Sequence, residues 1–220
     1  MGSRPGDYHV HGTMTTGRRR HRRDVERFDA WSDRYDQSVL QRLVFERVQG
    51  QVVALARQAV PDPGTILDVG SGTGRLLDRL SLAYPAARLI GVDPAPGMAR
   101  VAARRPRVSA VVGAAEDLPV RTGSIDLLLT TVSFHHWHDQ RRGLAELRRL
   151  LAADTGYLLI ADLTLPGWAR PLATLARARD RVHTGPELDA MMREAGLRPR
   201  GRVPVPDLGG MLTVTVATRA

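Results

Sequence analysis

The sequence contains no cysteine, no lysine and few aromatic residues, and it has no long apolar run. The absence of cysteine excludes a disulfide scaffold, a Cys-ligated zinc or iron–sulfur site and every mechanism with a cysteine nucleophile, and we predict no metal site. No apolar run approaches the ~18 residues that a bilayer span needs, so we expect no membrane span. The remainder, 43% hydrophobic and 25% charged residues in 220 positions, is typical of a single globular domain.

Because lysine is absent, all 32 basic residues are arginine, and the formal net charge is +9. Residues 1–23 hold six of these arginines and a single acid, so this short segment carries more than half of the net charge. Complete replacement of lysine by arginine, beside many alanines and glycines, resembles the codon bias of a GC-rich bacterial genome. The high isoelectric point therefore does not by itself predict nucleic-acid binding.

Residues 1–23 lack apolar periodicity and end in an arginine cluster, which predicts a disordered basic arm that contacts anions weakly. The arm has no apolar stretch of about 7 to 15 residues, so it is not typical of a secretory signal, and we expect a cytoplasmic protein. From position 24 the apolar spacing becomes helical. We therefore predict one domain over 24–220, with a helical segment over 24–60 and an α/β core over 65–220.

Short apolar segments alternate with helical ones after residue 65, and turn residues separate them. Such alternation predicts a mostly parallel sheet covered by helices on both faces. Two closing runs joined by a glycine-containing turn predict an antiparallel hairpin, which completes a seven-stranded sheet in a single α/β domain. We predict strands at 65–69, 88–92, 107–112, 124–132, 156–161, 198–206 and 211–217, and helices at 75–84, 96–105, 139–151, 168–181 and 186–195.

Three glycines, Gly70, Gly72 and Gly74, follow the first predicted strand. Ligands of open α/β sheets bind at the carboxyl ends of the strands, so these glycines stand where the backbone must approach a ligand. Their spacing is G-x-G-x-G, and the third glycine of a dinucleotide fingerprint would fall on Arg75, which disfavours an NAD site. Asp93 ends the second predicted strand, where a carboxylate can accept hydrogen bonds from both hydroxyls of a ribose.

Four runs occur in order along the chain: ILDVGSGTG at 66–74, GVDPAPGM at 91–98, AEDLP at 115–119 and IDLLLTTVSFHHW at 125–137. In these runs the sequence resembles the class I S-adenosylmethionine-dependent methyltransferases. The resemblance is to the small-molecule branch that includes the ubiquinone and menaquinone C-methyltransferases, and it extends from about residue 28 to the end. It implies a Rossmann-like fold and transfer of a methyl group from S-adenosylmethionine.

The resemblance also implies where the cofactor lies. The loop over 68–74 would hold the methionyl and ribose parts, Asp93 the ribose diol, and residues 114–117 the adenine, with Met98 packed on its face. The family often has an acid or amide where Ala114 stands, so the adenine amino group is held by either Glu116 or Asp117. The cofactor contacts implied in this way are Tyr35, Asp68, Gly70, Gly72, Gly74, Asp93, Met98, Ala114, Ala115, Glu116, Asp117 and Ser133.

A methyl acceptor that carries a proton needs a base, and two histidines are placed to supply it. His135 and His136 follow the fourth predicted strand, and Asp162 ends the fifth, which should be its neighbour. A carboxylate at that position can orient an imidazole and stabilise its charged form. The alternative is that Asp162 caps a loop and that one histidine is a core residue. Consecutive residues point in different directions, so at most one histidine should face the acceptor.

Two other segments are predicted to complete the site. Tyr35 shares a helical face with Phe28 and Trp31, which would ordinarily be a core stripe, but the segment 28–36 resembles the N-terminal lid of the family. The resemblance implies that Tyr35 contacts the cofactor or the acceptor. The predicted helices over 168–195 would form the remaining wall of an acceptor pocket.

Three functions compete. The first is methylation of a hydroxyl, an amine or an activated carbon of a small molecule, in quinone or natural-product biosynthesis, by a monomer or homodimer. The second is an RNA or DNA methyltransferase that uses the basic arm; the missing cysteine, the missing lysine and the absence of an Asn-Pro-Pro-Tyr sequence argue against it, and we expect no specific nucleic-acid partner. The third is a module that binds the cofactor without methyl transfer.

Overall fold

The computed structural model describes residues 23, 25–30, 39–169, 181–206 and 210–220. The predictions for the basic arm up to residue 22, for Trp31 and Tyr35, and for most of the helix predicted at 168–181 lie outside these residues.

The described residues form alternating helices and strands from the Gly-rich loop onward, and residues 25–30 are also helical. Short 3-10 turns lie at Phe134–His136 and Gly167–Ala169. The helices are α1 (Val39–Ala59), α2 (Arg75–Ala83), α3 (Pro96–Ala102), α4 (Gln140–Leu150) and α5 (Gly185–Glu194). The strands are β1 (Thr65–Val69), β2 (Arg88–Asp93), β3 (Val108–Val112), β4 (Leu127–Thr131), β5 (Tyr157–Leu165), β6 (His183–Thr184), β7 (Leu197–Pro204) and β8 (Leu212–Arg219).

The strands form one sheet in the order β3-β2-β1-β4-β5-β8-β7, with the short β6 paired to β5. The first five strands of this order are parallel to one another, whereas β8 is antiparallel to both β5 and β7. The predicted mostly parallel sheet with an antiparallel C-terminal hairpin is therefore confirmed. The two-residue β6 is an addition to the seven predicted strands.

Helices cover both faces of the sheet, because successive strand residues point to opposite sides and both sides are apolar. Ile66 and Leu127 pack against α1 and α2 on one face, and Leu67 and Leu128 pack against α4 and α5 on the other. Each of these four side chains is fully buried. Burial on both faces explains why the central strands read as continuous apolar runs.

Several predicted boundaries are wrong. β4 starts at Leu127 rather than at 124, and the Oδ2 atom of the preceding Asp126 accepts the backbone N–H of Thr65 (2.9 Å). It ends one residue early because Val132 has a φ of 51°, outside the extended region. The third strand likewise begins at Val108, after Arg107 with a φ of 65°.

Two further boundaries affect the site. α3 ends at Ala102 rather than at 105, and the Nε atom of Arg105 donates to the carbonyl of Thr73 (2.6 Å). β5 continues to Leu165, so Asp162 lies inside a strand, opposite Thr213 of β8, rather than at a strand end. β5 is longer than β4, and its residues beyond Ala161 pair with β8 and β6. Among the described residues, no helix combines the length and apolar character that crossing a membrane requires.

Candidate active site

A cavity opens at the carboxyl ends of β1, β2 and β4, the edge at which open α/β sheets bind ligands. The Gly-rich loop and the first turn of α2 form its floor, and α1 and the helical residues 25–30 close it from above. Its polar lining includes Gln49, Asp68, Ser71, Thr73, Arg75, Asp93, Glu116, Thr131, Ser133 and His136.

The Gly-rich loop bends sharply away from β1 and keeps the floor of the cavity clear. Gly70 has a φ of 74°, and a Cβ atom built there would lie 1.9 Å from the Oγ atom of Ser133, so no other residue fits. Gly72 has a φ of 53° and faces open space, so its missing side chain leaves room for a ligand against the backbone.

Gly74 serves packing rather than the cavity. It is not among the residues that line the cavity, and a Cβ atom built there would lie 3.1 Å from the Cβ atom of Ala102 in α3. The third predicted glycine of the motif thus allows α2 and α3 to approach each other.

The carboxylate of Asp93 is buried at the end of β2 and holds two loops in place. Its Oδ2 atom accepts the N–H of Gly72, and its Oδ1 atom accepts the N–H of Ala95, each at 2.9 Å. Burial raises the pKa of Asp93, and the two backbone N–H groups oppose that rise. Each oxygen of an ionised carboxylate can accept a second hydrogen bond, so Asp93 retains acceptor capacity toward the cavity.

Asp68 is a second buried carboxyl, 2% exposed, at the end of β1. Its Oδ1 atom has no hydrogen-bond partner in the described part of the chain. Burial, and then the negative charge of Asp93, raise the pKa of Asp68 to about 7. A buried acceptor of this kind is stabilised when a cation reaches it.

The segment after β3 supplies the opposite wall. Ala114, Ala115 and Glu116 line the cavity together with Met98 of α3, and the Oε1 atom of Glu116 also accepts the N–H of Asp139 at 2.9 Å. Asp117 is exposed and does not line the cavity. Of the two acids predicted as alternatives on this wall, the structure therefore brings only Glu116 to the cavity.

The chain leaves β4 through a strained residue and enters a 3-10 turn that carries both histidines. Val132 still donates its N–H to the carbonyl of Ala161 in the parallel neighbour β5 (2.7 Å). Its φ of 51° is nevertheless unfavourable for a residue with a β-branched side chain. The indole of Trp137 is buried beside the turn, and its Nε1–H donates to Ser133 (3.2 Å).

His135 and Asp162 form a hydrogen-bonded pair. The Nδ1 atom of His135 lies 2.6 Å from the Oδ1 atom of Asp162, and the backbone N–H of His135 donates to Oδ2 at 3.3 Å. The N–H of Leu163 also donates to Oδ1 (2.6 Å), so the carboxylate is fixed from several sides. His136 lines the cavity, and its ring centroid is 4.0 Å from that of His135. His135 and Asp162, by contrast, are not among the residues that line the cavity.

The helical residues 25–30 reach across the cavity and contact both of its sides. The ring of Phe28 meets the ring of His136 edge to face, with centroids 5.3 Å apart. The Oδ1 atom of Asp29 accepts the N–H of Gly97 in α3 (2.5 Å). This segment therefore connects the histidine turn to α3.

A buried amide behind the histidine turn was not singled out from the sequence. The Nε2 atom of Gln140 donates to the carbonyls of Phe134 (3.0 Å) and Arg181 (2.9 Å), which uses both of its hydrogens. Its Oε1 atom must then accept, and the Nε2 atom of His183 lies 2.6 Å away. Gln140 follows the helix N-cap Asp139, where an exposed polar residue is ordinary, so no local signal distinguishes it.

Comparisons with known proteins find similarity to methyltransferases. Residues 67–160 match a methyltransferase domain model. The chain is 37% identical over 169 residues to a malonyl-[acyl-carrier protein] O-methyltransferase of Geobacter sulfurreducens, covering 70% of the chain and 63% of that protein. It is 30% identical over 148 residues to a demethylmenaquinone methyltransferase of Thermotoga maritima, covering 65% and 62%. The chain is therefore similar to methyltransferases over this region.

Solved methyltransferases share the fold. A S-adenosylmethionine-dependent methyltransferase from Aquifex aeolicus superposes with a TM-score of 0.66 at 20% identity, covering 90% of this chain and 99% of that chain. The chain spans between 42% and 63% of the length of five curated relatives, four named malonyl-[acyl-carrier protein] O-methyltransferase and one named demethylmenaquinone methyltransferase.

The cavity fits the cofactor of these methyltransferases. The Oδ1 atom of Asp68 and the hydroxyls of Ser71 and Thr131 are buried at the cavity and have no hydrogen-bond partner within the described ranges. Open space above Gly72 and the remaining acceptor capacity of Asp93 suit a ligand with polar groups along its length. Asp68 would hold its ammonium and Asp93 its ribose hydroxyls.

Proposed function

We propose that this chain transfers a methyl group from S-adenosylmethionine to a small-molecule acceptor, and that His135 removes a proton from the acceptor atom. The observation that carries this proposal is the 2.6 Å contact between His135 and Asp162. Neither residue lines the cavity itself, but the ring of His135 contacts the ring of His136, which does. A histidine paired with a buried carboxylate is a common arrangement for a general base.

The tautomer of His135 follows from its partner. An ionised carboxylate only accepts hydrogen bonds, so Asp162 requires a hydrogen on the Nδ1 atom of His135. In the neutral ring the Nε2 atom is then left with its lone pair and can accept a proton. Asp162 keeps the ring oriented and stabilises the charge that the ring gains.

When bound, S-adenosylmethionine supplies a methyl group already activated on a sulfonium. The contribution of the chain is then to hold the acceptor in line and to take its proton. We propose that Asp68, Ser71, Gly72 and Asp93 bind the cofactor, with Met98 and residues 114–116 at the adenine. His136 would separate the cofactor from the acceptor side.

The acceptor class follows from the need for a base. A hydroxyl, an amine or an activated carbon loses a proton on methylation, and His135 serves such an acceptor. The malonyl-[acyl-carrier protein] relative favours a second candidate, a carboxylate acceptor on a thioester. A carboxylate is already deprotonated, so its methylation would not depend on His135.

The test is transfer of isotope-labelled methyl from S-adenosylmethionine to an acceptor panel containing hydroquinones, phenols, amines and malonyl thioesters. We expect the parent protein to methylate an acceptor that carries a proton, and we expect H135Q to lose nearly all of that turnover. Turnover of the malonyl thioester alone, unchanged in H135Q, would replace the first candidate with the second. Methylation confined to RNA or DNA would favour a nucleic-acid enzyme, and tight cofactor binding with no turnover on any acceptor would favour a binding module.

A further inference from the structure

A buried amide on α1 faces the cavity and has no role in the chemistry described above. Gln49 is 5% exposed and lines the cavity, and its Oε1 atom has no hydrogen-bond partner in the parts of the chain that the structure describes. An amide left unsatisfied in this way costs folding free energy, because water no longer solvates it. A ligand in the cavity would remove that cost.

The face of α1 that carries Gln49 meets the start of α2. Phe45, one turn earlier on the same face, also lines the cavity. Glu46 lies between them and forms an ion pair with Arg75, the first residue of α2, at 3.6 Å. Arg75 and Leu76 line the cavity in turn. Gln49 is therefore on the part of the wall next to the first turn of α2.

The start of α2 favours an anion. The first N–H groups of a helix have no acceptor within the helix, and they carry partial positive charge. The N-cap of α2 is Gly74, which makes no side-chain capping bond. Arg75 adds a full positive charge to the same turn.

The neighbouring strand end favours a cation. Asp68 is the penultimate residue of β1, a few residues before α2, and its Oδ1 atom is buried without a partner among the described residues. This corner of the cavity thus presents an acceptor for a cation, a positive helix end for an anion, and an amide that can both donate and accept. An α-amino acid group carries an ammonium and a carboxylate two bonds apart and matches all three.

We propose that Gln49 is a specificity-determining residue that binds the α-amino acid end of the cofactor. Its Oε1 atom accepts from the ammonium, and its Nε2 atom donates to the carboxylate. The inference rests on the proposed function, since it takes S-adenosylmethionine as the ligand. Gln49 would distinguish nucleosides that carry an amino acid from those that do not.

The test compares two ligands that differ only at that end. S-adenosylhomocysteine carries the amino acid, whereas 5′-methylthioadenosine has a methyl group in its place. We expect Q49L to weaken S-adenosylhomocysteine by about 10- to 100-fold in calorimetry, the range for hydrogen bonds to charged groups, and to leave 5′-methylthioadenosine within about twofold. Q51L, on the same helix but away from the cavity lining, is the control and should change neither affinity.

A second variant separates a contact from a packing effect. Q49E keeps the shape and the acceptor but places a negative charge against the carboxylate, so it should also lose S-adenosylhomocysteine and keep 5′-methylthioadenosine. Equal weakening of both ligands in Q49L, or no weakening of either, would overturn the inference while the proposed function stands. Failure of the parent protein to bind S-adenosylhomocysteine would instead overturn the proposed function and this inference together.

Discussion

The two halves of the site are built by different means. At the ends of β1 and β2, the polar contacts of Asp93 are to the backbone N–H groups of Gly72 and Ala95. After β4 and within β5, side chains from separate elements also contact one another, His135 with Asp162 and His183 with Gln140. The first half is a shaped backbone with buried carboxylates, and the second is a side-chain network.

This difference predicts that the first half binds the ligand and the second half carries the proton transfer. The backbone N–H groups of the first half can hold a ligand but do not gain or lose a proton, and its two titratable groups are the carboxyls of Asp68 and Asp93. A network of imidazole, carboxylate and amide groups can orient a base and adapt to its charge. We therefore expect substitutions in the first half to change affinity and stability, and substitutions in the side-chain network of the second to change turnover. His136 is the exception, because its ring lines the cavity.

The largest effect is expected in the second half, at His135. H135Q should lower turnover by roughly 10² to 10⁴, the usual range for general-base catalysis, and leave the affinity for S-adenosylhomocysteine unchanged. D162N should lower turnover less, because Asp162 orients the ring without taking the proton. Single-turnover kinetics and calorimetry on each variant measure the two quantities separately.

H136Q and H138Q serve as comparisons for His135. His136 lines the cavity, so H136Q should weaken cofactor affinity more than it lowers turnover, and the exposed His138 should be neutral. A larger loss of turnover in H136Q than in H135Q would transfer the role of base to His136. Full turnover in both would mean that the acceptor is already a nucleophile.

In the first half, the strongest effect is expected at Asp68, on stability. Its pKa is about 7 in the folded chain and about 3.8 in an unfolded one. Between these values the folded chain retains a proton that the unfolded chain has lost, so the free energy of unfolding falls as pH rises from about 4 to 7. The loss at higher pH is at most about 4 kcal/mol. D68N does not titrate and should be the more stable protein at about pH 8, measured by urea unfolding.

The same titration should appear in ligand binding. If Asp68 holds the ammonium of the cofactor, the affinity of the parent for S-adenosylhomocysteine rises as Asp68 ionises between about pH 5.5 and 7, and that rise is absent in D68N. D78N, at an exposed carboxylate of α2, is the control and should behave as the parent. A parent protein whose stability does not change between pH 4 and 7 would contradict the buried ionisation.

Much of the fold could be predicted because its signals are local. The apolar run at 65–69, the three glycines and the alternation of strands with helices lie in consecutive residues, and the parallel sheet follows from them. The boundaries of β4 and β5 could not be predicted in this way. The positive φ of Val132 and the pairing of Asp162 with Thr213 depend on contacts between distant parts of the chain.

The candidate site shows the same distinction between residues that a local motif predicts and residues that only the folded structure reveals. Asp68, Gly72 and Asp93 belong to short motifs, and the structure brings them to one cavity. Gln49 and Gln140 carry no motif, because a polar residue in a helix is ordinary until tertiary packing buries it. Tyr35 lies outside the described residues and remains a prediction.

A smaller loss of affinity is expected at Asp93. D93A removes the acceptor for the ribose hydroxyls, and each hydrogen bond to a charged group contributes about 1.5 to 3 kcal/mol, so affinity for S-adenosylhomocysteine should fall at least about tenfold. D126N is a matched control, because Asp126 also accepts a backbone N–H but lies beyond the amino end of β1. Unchanged binding in D93A would remove Asp93 from the cofactor site.

The smallest effect is expected at Gln140, and it tests whether the two halves are separable. Q140L removes the bonds that tie the histidine turn to Arg181 and His183, so His135 should lose part of its alignment. Misalignment of a catalytic group can lower turnover by up to about 100-fold, and because Asp162 still holds His135 we expect a loss of turnover of about tenfold.

A second variant and a control follow for Gln140. Q140E keeps the acceptor for His183 and loses both donors, so it should match Q140L in turnover and differ from it in the ¹⁵N chemical shift of His183. Affinity for S-adenosylhomocysteine should stay within about twofold of the parent, as it should for Q58L on the exposed face of α1. If Q140L instead weakens affinity as much as turnover, the histidine turn and the cofactor cradle act as one unit, and the division between the two halves is wrong.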